Sequence, residues 1–305
     1  MTAVWTECLE GSGVWRAVYD CPAFGEVNAL AIRLGELELA ALSPPPDPDG
    51  VYLEALSHLG RITALIAPNA AHTSGLASWK ARCPDAGIYA ADAIAATVAK
   101  ACGEVVQPVS RIIAPEGLVI YEAPGVTSGS LFMISSRGGK TVAYLDELVV
   151  WMRDWPRNWL SRALYFLTGT HPGLTLNHLF LHWFGRDKMA LLREAEKIAQ
   201  RADMICGAHG MTVEDIEDLN GIHAMIRLER ERRDQGRTEP RDGQRHGPAD
   251  RHPQQHRPLA QKRRLVGEDL GQREERPGRD VGEHRHRGGT GLERRRPDGK
   301  ADKGP

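Results

Sequence analysis

Pro124-Gly125-Val126-Thr127-Ser128-Gly129-Ser130 stands between two apolar runs, Leu118 to Glu122 and Leu131 to Ser135. One proline and two glycines in seven residues punctuate the chain, so the runs read as two strands joined by a tight loop. A second stretch of similar character, Pro68-Asn69-Ala70-Ala71-His72-Thr73-Ser74-Gly75, follows the continuous apolar run Ile62 to Ala67.

Outward from these loops the chain alternates strand and helix. Val14 to Tyr19, Ala29 to Leu34 and Leu37 to Leu42 have the apolar density of strands and form an antiparallel opening. Ser43 to Gly50 holds four prolines and cannot be strand interior, since proline lacks the donor a ladder needs. Helices are expected over Val51 to Leu59, Leu76 to Ala81 and Asp92 to Ala101, the last with Asp92 as N-cap, and a strand over Gly87 to Ala90. Arg137-Gly138-Gly139-Lys140 turns the chain into a strand Val142 to Leu145 that ends at Asp146. Residues 155 to 199 are helical in pattern, broken by Gly169 to Gly173, and a last strand, Asp203 to Cys206, delivers Gly207-Ala208-His209-Gly210. Three residues of metal-ligand type therefore follow three strands: His72, Asp146 and His209. Loops at strand ends are where a rigid sheet presents chemistry.

The order of these segments resembles the metallo-β-lactamase-fold superfamily, to which hydroxyacylglutathione hydrolase and ribonuclease Z belong. The resemblance covers roughly residues 14 to 215 and is nearest to a bacterial branch of undefined function with a PN-x-x-H loop. It implies an α/β architecture, a four-layer αββα sandwich. Members with intact sites carry His-x-His-x-Asp-His, Pro-Gly-His-Thr-x-Gly-Ser, a bridging Asp and a late Gly-His. Laid onto this chain, these motifs place Ala67, Asn69 and Val126 where one metal position would have its imidazoles, and Ala71 where the other would have an Asp.

Alanine and valine offer no donor atom and an amide oxygen replaces imidazole poorly, so the two-metal mechanism is not expected. The other position keeps His72, Asp146 and His209, a set suited to one divalent zinc, iron or manganese ion. Asn69 and Thr127 then stand where a substrate carbonyl or phosphoryl would be oriented. Each residue also has a structural reading: His72 capping its loop, Asp146 bonding backbone N–H groups, His209 satisfying a buried neighbour. His178 and His182, spaced i, i+4, lack an acidic companion, and His223 lies beyond the last clear strand.

Two functions follow. One is a mononuclear metal-dependent hydrolase of a small ester, thioester or phosphoester. The other is an inactive descendant that binds a small molecule or a protein, with or without a metal. The aromatic-rich stretch 151 to 184 is expected to pack over the sheet, with a homodimer contact as its alternative role.

Composition divides the 305 residues in two. From 234 to 305 only 9 of 72 residues are hydrophobic and none is aromatic, while 18 basic residues stand against 13 acidic ones, a net charge of +5. Residues 1 to 233 carry 21 basic and 27 acidic groups, a net −6. The second segment cannot bury enough apolar surface to offset chain entropy, and disorder is expected there. A GC-rich gene read in a shifted frame would give the same composition. Its arginine clusters are interspersed with acids and lack stacking aromatics, so nucleic-acid binding is not expected. Five cysteines form no C-x-x-C spacing. The start of the chain shows no basic and apolar leader, and no apolar run reaches the roughly 20 residues of a membrane span, so a cytoplasmic location is expected.

Overall fold

The computed structural model describes residues 4 to 21 and 25 to 238, with side chains as far as Gln235. The arginine-rich stretch from 239 onward, where disorder is expected, lies outside the described residues.

Two sheets form the framework. The first is seven-stranded, in the order β1 (Thr6–Glu7), β2 (Val14–Cys21), β3 (Gly25–Arg33), β4 (Glu38–Leu42), β5 (Arg61–Ile66), β6 (Gly87–Ala90) and β7 (Val106–Pro108). β1 to β4 pair antiparallel and β4 to β7 parallel. The second sheet contains β8 (Leu118–Glu122), β9 (Leu131–Arg137), β10 (Lys140–Tyr144) and β13 (Met204–Cys206), ordered β13-β10-β9-β8. Here β8, β9 and β10 are antiparallel, and β13 runs parallel to β10.

Side-chain alternation along the second sheet explains the layering, because successive residues of a strand face opposite sides. Met133, Val142, Tyr144 and Cys206 join the core shared with the first sheet and with α1 (Val51–Leu56), α2 (Leu76–Arg82) and α3 (Ala95–Cys102). Phe132, Ala143, Leu145 and Ile205 face the opposite way, against α5 (His178–Trp183), α6 (Lys188–Ala199) and α7 (Ile216–Thr238). Helix, sheet, sheet and helix make the expected αββα sandwich.

Three local features stand apart from the sequence reading. Asp92 is no N-cap: it opens a 3₁₀ turn, Asp92–Ile94, and its N–H donates to the Glu122 carboxylate (2.7 Å). The stretch 155 to 199 is not all helix, because Gly173–Leu176 is a strand, β12, paired antiparallel with β11 (Val149–Met152). Four-residue runs amid aromatics carry too little periodicity to be told from helix. The helix α4 (Trp159–Thr168) lies between them in sequence, capped by the Asn158 side chain. Finally, α7 continues past Arg233; its inward residues Leu219, Ile222 and Ile226 are a narrow stripe in a strongly charged segment.

Candidate metal centre

His72 lies between β5 and α2, in a loop tied to β9 by the hydrogen bond from Leu131 N–H to the Pro68 carbonyl (2.9 Å). His209 lies after β13, in a segment laced to β3: Asn28 N–H donates to the Ala208 carbonyl (2.8 Å) and Gly210 N–H to that of Glu26 (3.3 Å). Between them comes the carboxylate after β10. His72 Nε2 is 3.1 Å, and His209 Nε2 3.2 Å, from the same atom, Glu147 Oε1. The three donor atoms lie within 4.8 Å of one another, and the two histidines are 6 % and 5 % exposed.

The structure thus brings His72 and His209 together with Glu147, and turns Asp146 elsewhere. Asp146 is fully buried; both its oxygens accept from Asn69 Nδ2 (2.9 and 3.1 Å), and Oδ1 accepts from the Tyr144 hydroxyl (3.0 Å). The cause is in the backbone. Asp146 has φ 43°, one of two non-glycine residues with positive φ among those described. That turn breaks strand alternation immediately after β10 and sends the next side chain, Glu147, between the imidazoles. Sequence reading missed Glu147 because the family motif names the first residue after the strand. The adjacent pair Asp146-Glu147 was the available signal.

Asn69, expected to orient substrate, is engaged at both ends, since its Oδ1 also accepts from Ala71 N–H (2.8 Å). Thr127 borders the cavity, but its hydroxyl donates to the Phe184 carbonyl (3.2 Å). The Pro124 to Ser130 turn anchors the segment between α5 and α6. The Gly125 carbonyl accepts from the Arg186 and Asp187 N–H groups (2.8 and 3.0 Å), and Val126 bridges Gly185. Val126 packs with the core beneath α5 and α6. Gly125, at φ 73°, admits no Cβ, which would collide with the Asp187 carbonyl. His178, His182 and His223 form no further metal-ligand cluster among the described residues; His223 pairs with Gln200 and Glu196.

The donor set fits a divalent transition metal, since two imidazoles and one carboxylate are a known catalytic zinc set. Ligand atoms on a tetrahedral ion with bonds of about 2.0–2.1 Å stand roughly 3.3 Å apart, close to the separations seen here. Outer hydrogen bonds orient both rings. His209 Nδ1 faces the Glu26 carbonyl (3.2 Å), an acceptor only, so Nδ1 carries the proton and Nε2 of the neutral ring turns a lone pair toward Glu147. Either a proton or a cation must lie between them. His72 Nδ1 is held by the Ser43 hydroxyl (2.8 Å), and Ser43 is the other residue at positive φ (53°).

Electrostatics follow the same geometry. Burial works against the ionised form of Glu147, but the charge and hydrogen bond of His209, and then those of His72, hold its carboxyl well below the usual range. Burial likewise opposes charging of His209, yet Glu147 and the Glu26 carbonyl raise its pKa. Asp146 is pushed up to about 7, by burial first and then by Glu147, against the pull of His72, Ser130 and Tyr144.

A pH dependence results. Without metal, His209 and Asp146 both titrate above their unfolded values, so between about pH 4 and 7 these two groups bind more protons in the folded chain than in the unfolded one, while His178, lowered by burial, binds fewer. Stability is expected to fall as pH rises through this window where the two raised groups outweigh the single lowered His178; the depressed Glu147 gives the opposite slope below about pH 4.5. Chelator-treated protein is expected to be on the order of 2 kcal/mol less stable in urea at pH 8 than at pH 5.5. Zinc should narrow that difference, since its uptake displaces a proton from His209 and strengthens with pH. A stability that rises with pH in the metal-free protein would contradict the assignment.

Solved structures of similar architecture include several metallo-β-lactamases. The chain is similar to the metallo-β-lactamase DIM-1, with a TM-score of 0.50, 9% identity, and 75% of this chain and 99% of that one covered. It is similar also to FIM-1 from Pseudomonas aeruginosa in its mono-zinc form (TM-score 0.48, 15% identity, 75% and 97% covered) and to a metallo-β-lactamase from Hirschia baltica (0.47, 15%, 74% and 98%). No family model matches the sequence, and no curated protein matches it. The chain has the metallo-β-lactamase fold. Among the described residues no helix is long and apolar enough to cross a membrane.

Proposed function

We propose that this chain is a mononuclear metal-dependent hydrolase of a small ester, thioester or phosphoester, with His72, Glu147 and His209 as ligands. The half of the site around Ala67, Asn69 and Val126 holds no ion in this reading. What carries it is the convergence of two imidazoles on one carboxylate oxygen, all three side chains lining a cavity of about 630 Å³. When bound, a divalent ion would supply Lewis acidity, polarising an acyl or phosphoryl oxygen and making hydroxide available at neutral pH.

The protein's own groups do the rest. The Glu26 carbonyl and the Ser43 hydroxyl fix the two rings before any ligand arrives. Burial opposes ionisation of Glu147, but His209 and His72 lower its pKa and favour the carboxylate form. Tyr165 borders the same cavity from α4, and burial together with Glu147 keeps its hydroxyl protonated, a neutral donor for negative charge developing on the substrate. Asn69 stands at a lost ligand's position, and its amide donates to both oxygens of Asp146.

Full-length protein, stripped with chelator and titrated with zinc, manganese or ferrous iron, is expected to take up one ion per chain and to gain ester hydrolysis with it. Failure of all three ions to bind stoichiometrically, or hydrolysis indifferent to chelator, would remove this reading. The second reading, a catalytically silent small-molecule binder, draws on the same cavity and on the His–Glu–His cluster as a plain ion pair.

A further inference from the structure

The cavity beside the triad is lined mainly by apolar surface. Its apolar lining comes from Ile94 beside α3, Leu164 of α4, Leu179 and Phe180 of α5, and Trp183 and Phe184 at the end of α5, with the hydroxyl side chains of Thr97 in α3 and Ser161 in α4 among them. No lysine or arginine is among the described lining residues. The cations of the overlying segment are engaged elsewhere: Arg162 lies over the Trp155 ring (5.7 Å), Arg157 pairs with Asp20 (3.2 Å), and Arg153 borders a separate cleft. A substrate anion remote from the reacting carbon would therefore find no partner, and desolvating an unpaired charge is costly.

The apolar surface also continues outward. Leu160, Trp183 and Phe184 line the cavity and are nevertheless 53 %, 57 % and 40 % exposed, so the rim is apolar on both sides. A chain leaving the cavity would stay on apolar surface as it crossed that rim.

Building on the hydrolase reading, we propose that the substrate is an uncharged ester, thioester or lactone carrying a long aliphatic chain, with the chain lying between α3 and the α4–α5 cover. The reacting group would lie beside the triad, and the remainder gains its affinity from burial, in a cavity whose size falls among small-molecule pockets of roughly 300–1,000 Å³.

The test separates chain recognition from catalysis. Full-length protein, with and without chelator, is loaded with the neutral fluorophore N-phenyl-1-naphthylamine, which straight-chain alkanols of 4 to 12 carbons then displace. Each methylene is expected to tighten binding roughly three- to fourfold until the chain outgrows the cavity, with or without metal. Ser161→Trp, which fills the cavity from α4, should weaken dodecanol at least about tenfold. Leu164→Asp should do the same by placing a charge in the wall. In metal-loaded protein, kcat/KM for acyl esters should rise with acyl length in parallel. A flat dependence on chain length, or unaltered dodecanol binding in both variants, overturns the proposal even where short esters are hydrolysed. A preserved chain-length dependence in protein that binds no metal supports it while removing the hydrolase reading.

Discussion

Replacing Glu147 by Ala is expected to lower metal affinity about 10³-fold or more, while Asp146→Asn leaves it within about tenfold of the unaltered protein. The contrast follows from where the two adjacent carboxylates point. Glu147 Oε1 is shared by both imidazoles, so its loss removes one of three donors and the charge that balances an ion. Outer hydrogen-bond partners alone change metal affinity by about 10–100-fold, and a direct donor must count for more. Asp146 faces Asn69 and Tyr144, and asparagine tolerates the positive φ at that position. Titration of both variants with zinc in competition with a chromophoric chelator measures the difference. Equal losses, or a greater loss in Asp146→Asn, would move the site to the residue the sequence motif favours.

The second large effect is on folding. Gly210→Ala is expected to cost about 3–5 kcal/mol, because the residue combines a positive φ with close backbone approach. Gly210 has φ 81°, and a Cβ there would collide with the carbonyl of Trp151 in β11. Its own carbonyl accepts from Asn28 Nδ2 (3.0 Å) and an Arg16 guanidinium nitrogen (2.8 Å), so the backbone cannot shift without breaking buried bonds. A thermal midpoint lower by roughly 10 °C should accompany the loss, together with weaker metal binding through displaced His209. Gly221→Ala provides the control: it lies in α7 with open space around the added methyl, and helix propensity alone makes it neutral or stabilising by up to about 1 kcal/mol. Equal midpoints for the two variants would show that the His209 segment is not held as described.

Much of this architecture was legible because its central strands are continuous apolar runs ended by turn residues. Gly87–Ala90 and Leu118–Glu122 fall where their composition puts them, and the loops carrying His72 and His209 follow strands as expected. The β11–β12 pair was not legible, since Val149–Met152 and Gly173–Leu176 are short and find each other across α4. Nor was Glu147. Period-two alternation would face it with Leu145 toward the helices, and only the positive φ of Asp146 redirects it. The bond between Asn69 and Asp146 spans 77 residues, and no local pattern announces it. Sequence reading located the loops that meet; which of two neighbouring carboxylates enters the centre was decided by one backbone dihedral.

The proposed single metal position is formed by His72, Glu147 and His209. The most direct measurement is an anomalous difference map, collected at the zinc edge from crystals of the full chain equilibrated with zinc. One peak is predicted, within bonding distance of both Nε2 atoms and Glu147, with none beside Asn69 and Asp146. A peak on Asp146, a second peak in the Asn69 half, or none at the triad would contradict it.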